Sequence, residues 1–188
     1  KVFDSMTQLL IQLLRSNLRS DKVLAAILSF ARTLIVKYKR PIFRYTTTYA
    51  FCGDLTYEIF NLCHSQSRHL MAAATSVLYL MLKTNNEEMG HFARMKLQGT
   101  TAISRLVAKR TDFNVDDLRS SLEGMAQYKD SQSSQASWHN QIREFINRNL
   151  RIIKYMLLAN SLSKEFADVK GELYYQISLE YVYSPDQR

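Results

Sequence analysis

Two closely spaced pairs of side chains in this sequence could do chemistry: Glu88 with His91, and Cys63 with His64. A Glu-x-x-His spacing puts both groups on one face of a helix, as in carboxylate-bridged di-iron bundles. Such a site also needs a second Glu-x-x-His and two further carboxylates from neighbouring helices. The sequence has no second copy, and Gly90 puts the pair in a turn, so no metal site is expected. Cys63 and His64 are sequence neighbours and point about 100° apart on a helix. They could act as a nucleophile and its base only if the fold bent them together. The simpler reading is a cysteine packed as a small hydrophobe beside a helix-end histidine. His69 and His139 each adjoin an apolar face, where edge packing accounts for them. There is no Gly-rich phosphate loop, no G-x-S-x-G elbow and no kinase signature. We therefore expect no catalytic residue, no cofactor and no metal ligand.

The remaining candidates are surfaces. Lys37, Lys39, Arg40 and Arg44 are interleaved with Tyr38, Phe43 and Tyr45. Cations among aromatics can hold single-stranded nucleic acid. They equally suit a helix end, where positive charge meets the C-terminal dipole. No recognised nucleic-acid module accompanies them, so nucleic acid is not expected. Charge is uneven: residues 1–110 hold 16 basic and 6 acidic residues, and residues 111–188 hold 9 and 11. The basic half is read as a solvated face, with an acidic protein or anionic lipid as the partner it would fit. Near the end, Leu173, Tyr174, Ile177 and Tyr181 align on one helical face, which Tyr175, Leu179 and Val182 widen. Leu173, Ile177 and Tyr181 are expected to carry a packing face that this chain alone leaves uncovered.

The elements that must position these residues are helices. Only 5 Gly and 2 Pro occur in 188 residues, too few for the turns of an all-β chain, while 46% of residues are hydrophobic. Apolar residues recur at three- and four-residue steps. This predicts helices over about 3–16, 21–39, 48–63, 67–84, 91–109, 115–129, 138–160 and 165–182. Asp21 is a candidate cap, Val23, Leu24, Ile27, Phe30, Leu34 and Ile35 point inward, and Pro41 interrupts. Leu13 and Leu97 belong to their helices' apolar faces. Residues 85–90 read as a turn and 130–137 as a polar loop. Gly99, inside a helical pattern, marks a close packing point. Cys52 and Cys63 have no zinc spacing and suit a reduced intracellular protein. No apolar run reaches the roughly 18 residues of a membrane span. The opening KVFDSMTQLL starts in helical register without a signal-peptide pattern, as a fragment would. The expected architecture is all-α, with at least seven helices and no sheet. Two helices per roughly 40–47 residues fit an armadillo/HEAT-like antiparallel repeat, an α-solenoid segment, with a closed helical bundle as the alternative.

Four segments carry a family resemblance. GELYYQISLEYVYSPDQR (171–188) resembles the opening of the exchange domain in DOCK-family guanine nucleotide exchange factors, through Leu173, Tyr175, Ile177, Tyr181, Ser184, Pro185 and Arg188. ATSVLYLMLKTN (74–85), HFARMKLQGTTAISRLV (91–107) and CGDLTYEIFNLC (52–63) resemble the helices before it, at matching spacing. The resemblance covers about residues 25–188 and is closest to the zizimin-related and plant SPIKE-type subfamilies. Gln187 stands where that family usually has Leu, Lys170-Gly171 sits in a normally apolar or acidic stretch, and the linker 130–137 is short.

The resemblance implies a division into a helical array (1–160) and the first helix of an exchange-domain lobe (161–188). It implies a scaffold segment of a large cytoplasmic protein, recruited to membranes, that activates Rho-family GTPases, chiefly Rac. The GTPase would be met by later lobes with no match in this sequence, and the first lobe would support a homodimer. The other expectation is an independent helical-repeat adaptor for a protein or acidic partner.

Overall fold

The computed structural model describes residues 2–16, 20–45, 53–90, 92–109, 114–128 and 136–182. The helices are α1 (Val2–Arg15), α2 (Asp21–Lys37), α3 (Lys39–Tyr45), α4 (Gly53–Leu62), α5 (Arg68–Met89), α6 (Ala93–Lys109), α7 (Val115–Gln127), α8 (Ala136–Ser161) and, after a 3-10 turn at Lys164–Phe166, α9 (Ala167–Val182). Among the described residues there is no strand, as the three- and four-residue apolar spacing predicts.

Local chemistry explains most boundaries, and corrects some. Residues 85–89 are the last turn of α5 rather than a turn, and only Gly90 leaves the helix, in the left-handed conformation (φ 71°) that glycine adopts without a Cβ penalty. The cap of α2 is Ser20, with Asp21 in the first turn. Pro41 does not end order, because it falls in the first turn of a new short helix, α3, where a missing N–H costs nothing. α7 starts as its acidic first turn predicts. Asn114 Oδ1 accepts from the backbone N–H groups of Asp116 and Asp117, each at 3.1 Å. The expected loop 130–137 falls outside the described residues up to 135, as does the start of the helix predicted from 48.

α5 is the centre. It packs on α2, α3, α4 and α7, while α4 joins α1 to α6, and α6 and α7 lead to α8, whose other neighbour is α9. The circumferentially apolar sequence of α5 is thus explained by neighbours on several sides. One ion-pair chain links three helices: Arg15 of α1 reaches Glu58 at 2.8 Å and Asp54 at 3.1 Å, both on α4. Arg105 of α6 meets the same Asp54 at 3.3 Å and lies over the Tyr57 ring. Arg15, and behind it Arg105, hold the Asp54 carboxyl below the usual carboxylate range against the opposing pull of burial.

Four expected inward residues face solvent instead. Leu13, Val23, Phe30 and Leu97 are exposed, while Leu10, Leu14, Leu24, Ile27, Leu34, Ile35, Ile103 and Leu106 are buried. These helices carry apolar residues on more than one face, and only the face that meets a neighbour is covered.

Between α5, α6, α7 and α8 runs a train of aromatic rings. Tyr128 packs edge-on to Tyr79 (5.1 Å between centroids), Tyr79 meets Trp138 (6.3 Å), Trp138 meets Phe92 (5.3 Å) and Phe92 meets Phe145 (5.7 Å). Trp138 Nε1 donates to the Tyr79 hydroxyl at 3.3 Å, so the one polar atom of the indole is satisfied. The train ends against Gly99, where α6 meets α8. A Cβ added to Gly99 would stand 2.6 Å from Cζ of Phe145.

Candidate interaction surface

α9 is held on the array by one face. Leu173 and Ile177 are buried, and the Tyr181 hydroxyl shares a 2.7 Å hydrogen bond with Ser104 Oγ of α6. The guanidinium of Arg151 on α8 donates in fork geometry to Glu180, Nε to Oε1 at 2.5 Å and Nη2 to Oε2 at 2.9 Å. Arg148, one turn earlier and itself buried, adds a second charge 3.7 Å from Glu180. Such paired forks fix orientation as well as adding energy. The expectation that Leu173 and Ile177 stand uncovered in this chain is therefore corrected: α8 covers them.

The opposite face is uncovered, where Tyr175 and Val182, seven residues apart, are exposed at 56% and 64%. Tyr174 on the flank is also exposed, and Phe166 and Val169, which precede Leu173 on its own stripe, are about half exposed. Leu157 and Leu158 near the end of α8 are exposed too. Sequence reasoning placed Tyr175 and Val182 on the same widened face as Ile177. It missed the clamp of Arg148, Arg151 and Glu180. The only local signal for that clamp was the three-residue spacing of the two arginines, which puts both on one helical face.

The basic residues are partly neutralised. Lys39 Nζ lies 3.6 Å from Glu87, and Arg40 Nε lies 3.9 Å from Glu88, both acids at the end of α5. Lys37 is exposed, with its ammonium 5.6 Å from the Tyr38 ring centroid. The side chain of Arg44 lies outside the described residues. Glu88 is thus an ion-pair partner, and His91, its supposed co-ligand, lies outside the described residues, as do Cys52, Ser184, Pro185 and Arg188. Among the described residues no cluster of three or more His, Cys, Asp or Glu side chains could hold a metal ion. No helix there is long and apolar enough to cross a membrane.

Cys63 is fully buried, and desolvation pushes its thiol up to about 12, against a weak opposing contact from Thr75. His64 turns instead to Asn61 Oδ1 at 3.2 Å. Burial of this kind makes a thiol inert, since only the thiolate attacks. Iodoacetamide at pH 8 is expected to label Cys63 at least about 100-fold more slowly in the native chain than in denaturant, as a mass-spectrometric time course would show. The folded state keeps the proton that the unfolded state releases near 9, so this contribution is intact below pH 9 and is lost as pH rises towards 12.

Comparison with known proteins gives a consistent set of relatives. Dedicator of cytokinesis protein 8 of Mus musculus is 30% identical over 159 residues, 84% of this chain and 7% of the relative. Dedicator of cytokinesis protein 7 of Mus musculus is 29% identical over the same length and shares. Dedicator of cytokinesis protein 6 of Mus musculus is 28% identical over 163 residues, 86% of this chain and 8% of the relative. The chain thus spans less than a tenth of the length of these curated relatives. No family model and no solved structure matches it.

Proposed function

We propose, from the premise that this chain belongs to the dedicator of cytokinesis (DOCK) family, that it is a non-catalytic scaffold segment of a guanine nucleotide exchange factor for Rho/Rac-type GTPases. In this reading residues 1–160 form part of an armadillo/HEAT-like array in the cytoplasm, and α9 begins the first lobe of the exchange domain. The observation that carries it is the two-sidedness of α9. One face is clamped to α8 and α6 by Glu180, Tyr181, Leu173 and Ile177. The other offers Tyr175 and Val182, as a helix does when another layer packs on it. GTPase contact, homodimer formation and membrane recruitment belong, on this proposal, to the whole protein.

The adaptor reading finds less support at Lys39 and Arg40, because Glu87 and Glu88 already balance them. The test is fluorescent-nucleotide release from Rac- and Cdc42-type GTPases. The 188-residue chain is expected to leave the intrinsic rate unchanged within about twofold. A stimulation of tenfold or more by this chain alone would sink the scaffold assignment.

A further inference from the structure

Positive charge and exposed apolar surface coincide at one end of this chain. Residues 1–45 hold nine basic and two acidic side chains, a net of +7 out of the whole chain's +8. In the same stretch Val2, Leu9, Leu13, Val23, Phe30 and Val36 stand between 40% and 71% exposed. α2 shows how the two properties combine. Leu24, Ile27, Leu28, Leu34 and Ile35 take its buried side. Its exposed side carries two neighbouring stripes at seven-residue steps, Val23–Phe30–Lys37 and Lys22–Ser29–Val36. Cations and apolar side chains are thus interspersed along roughly 25 Å of helix.

The charge on this side of α2 is not neutralised. Lys22, Arg32 and Lys37 are exposed and have no acidic partner among the described residues. The one acid of α2 is Asp21, in its first turn. Lys39 and Arg40, just beyond the helix, are shared with Glu87 and Glu88 and add less. The exposed side is also a ridge rather than a slot. Clefts of about 460 Å³ between α5 and α7 and about 490 Å³ between α7 and α8 take in none of Lys22, Val23, Phe30, Val36 and Lys37.

We propose that α2 docks this chain on an anionic lipid bilayer. The helix would lie along the surface, with Val23, Phe30 and Val36 among the outermost acyl carbons and Lys22, Arg32 and Lys37 against the headgroups. A basic helix face with interspersed apolar side chains seats in this way, and each cation near the surface adds attraction. An acidic protein would have to set its carboxylates against particular cations on a convex ridge. A fluid headgroup layer meets long lysine side chains wherever they stand, while their stems lie along the apolar neighbours. The contact is separate from the face of α9 and does not depend on the exchange-factor reading. It adds a lipid contact of this chain's own to whatever recruits a longer protein.

Co-sedimentation of the 188-residue chain with vesicles tests the proposal. Binding to phosphatidylcholine vesicles containing one third phosphatidylserine should be at least tenfold tighter than to phosphatidylcholine alone, and should weaken with added salt. Lys22→Glu with Lys37→Glu should lower it at least tenfold, and Phe30→Ser with Val36→Ser at least threefold. These side chains are exposed, so both pairs should keep the thermal midpoint of the parent. Should the serine pair fail to fold, the charge pair decides. Lys154 and Lys164 are exposed outside α1–α3, and Lys154→Glu with Lys164→Glu makes the same change in net charge. That control should alter binding by less than twofold. No binding, or a loss as great in the control as in the charge pair, overturns the proposal. So does undiminished binding in a folded serine pair, which would leave a purely ionic contact. A concentration-dependent dimer that the serine pair dissolves, seen by analytical ultracentrifugation in place of vesicle binding, overturns it in favour of a second copy.

Discussion

The Phe145→Ala variant is expected to lose about 3–5 kcal/mol of stability, the range for emptying an aromatic site in a packed core. Phe145 is 1% exposed, ends the aromatic train through Phe92, and fills the space that Gly99 leaves open. Urea unfolding of both chains by circular dichroism measures the loss. The same geometry makes Gly99→Ala depend on its background. In the parent chain the new methyl would stand 2.6 Å from the Phe145 ring, whose edge is already held by Phe92. The clash, about 1–3 kcal/mol for overpacking, then offsets or exceeds the helix-propensity gain of about 1 kcal/mol. In the Phe145→Ala background the clash is gone, and Gly99→Ala should stabilise by about 1 kcal/mol. If Gly99→Ala shifts both backgrounds equally, the two residues are not in contact and the packing described for α6 and α8 is wrong.

The second large effect is at Ile177. Ile177→Asp is expected to destabilise this chain by about 2–4 kcal/mol, because it removes a buried side chain and puts an unpaired carboxylate against α8. The loss should be local first. α9 is joined mainly to α8, so hydrogen exchange in 167–182 should accelerate well before the core of α4, α5 and α6 does. Glu180 would then be drawn away from Arg148, a buried cation. Tyr175→Asp is the matched control. Its side chain is over half exposed, so the chain itself should change by no more than about 0.5 kcal/mol. On the proposal that α9 opens a lobe of a longer exchange factor, Tyr175→Asp should be the damaging change in that longer protein. Equal stability losses for the two variants in the isolated chain would show that the two faces of α9 do not differ in burial, and a larger loss for Tyr175→Asp that they have been assigned the wrong way round.

Much of this was legible in the sequence, for a local reason. Helix periodicity, caps and breakers act within a few residues, so the all-helical class, the acidic start of α7 and the approach of another residue at Gly99 could be read directly. The stripe of Leu173 and Ile177 was legible as well, because a four-residue step aligns side chains whatever the rest of the chain does. What covers each stripe was not. α2 and α6 have more apolar residues than one face needs, and their neighbours in space decided that Leu24 and Ile103 are buried while Val23, Phe30 and Leu97 are not. The clamp of Arg151 on Glu180 and the link from Arg15 through Asp54 to Arg105 join residues far apart in sequence. No spacing rule encodes such pairs. They exist only once the helices stack, and the stacking is set by the summed burial of many small apolar contacts, a property of the tertiary structure alone.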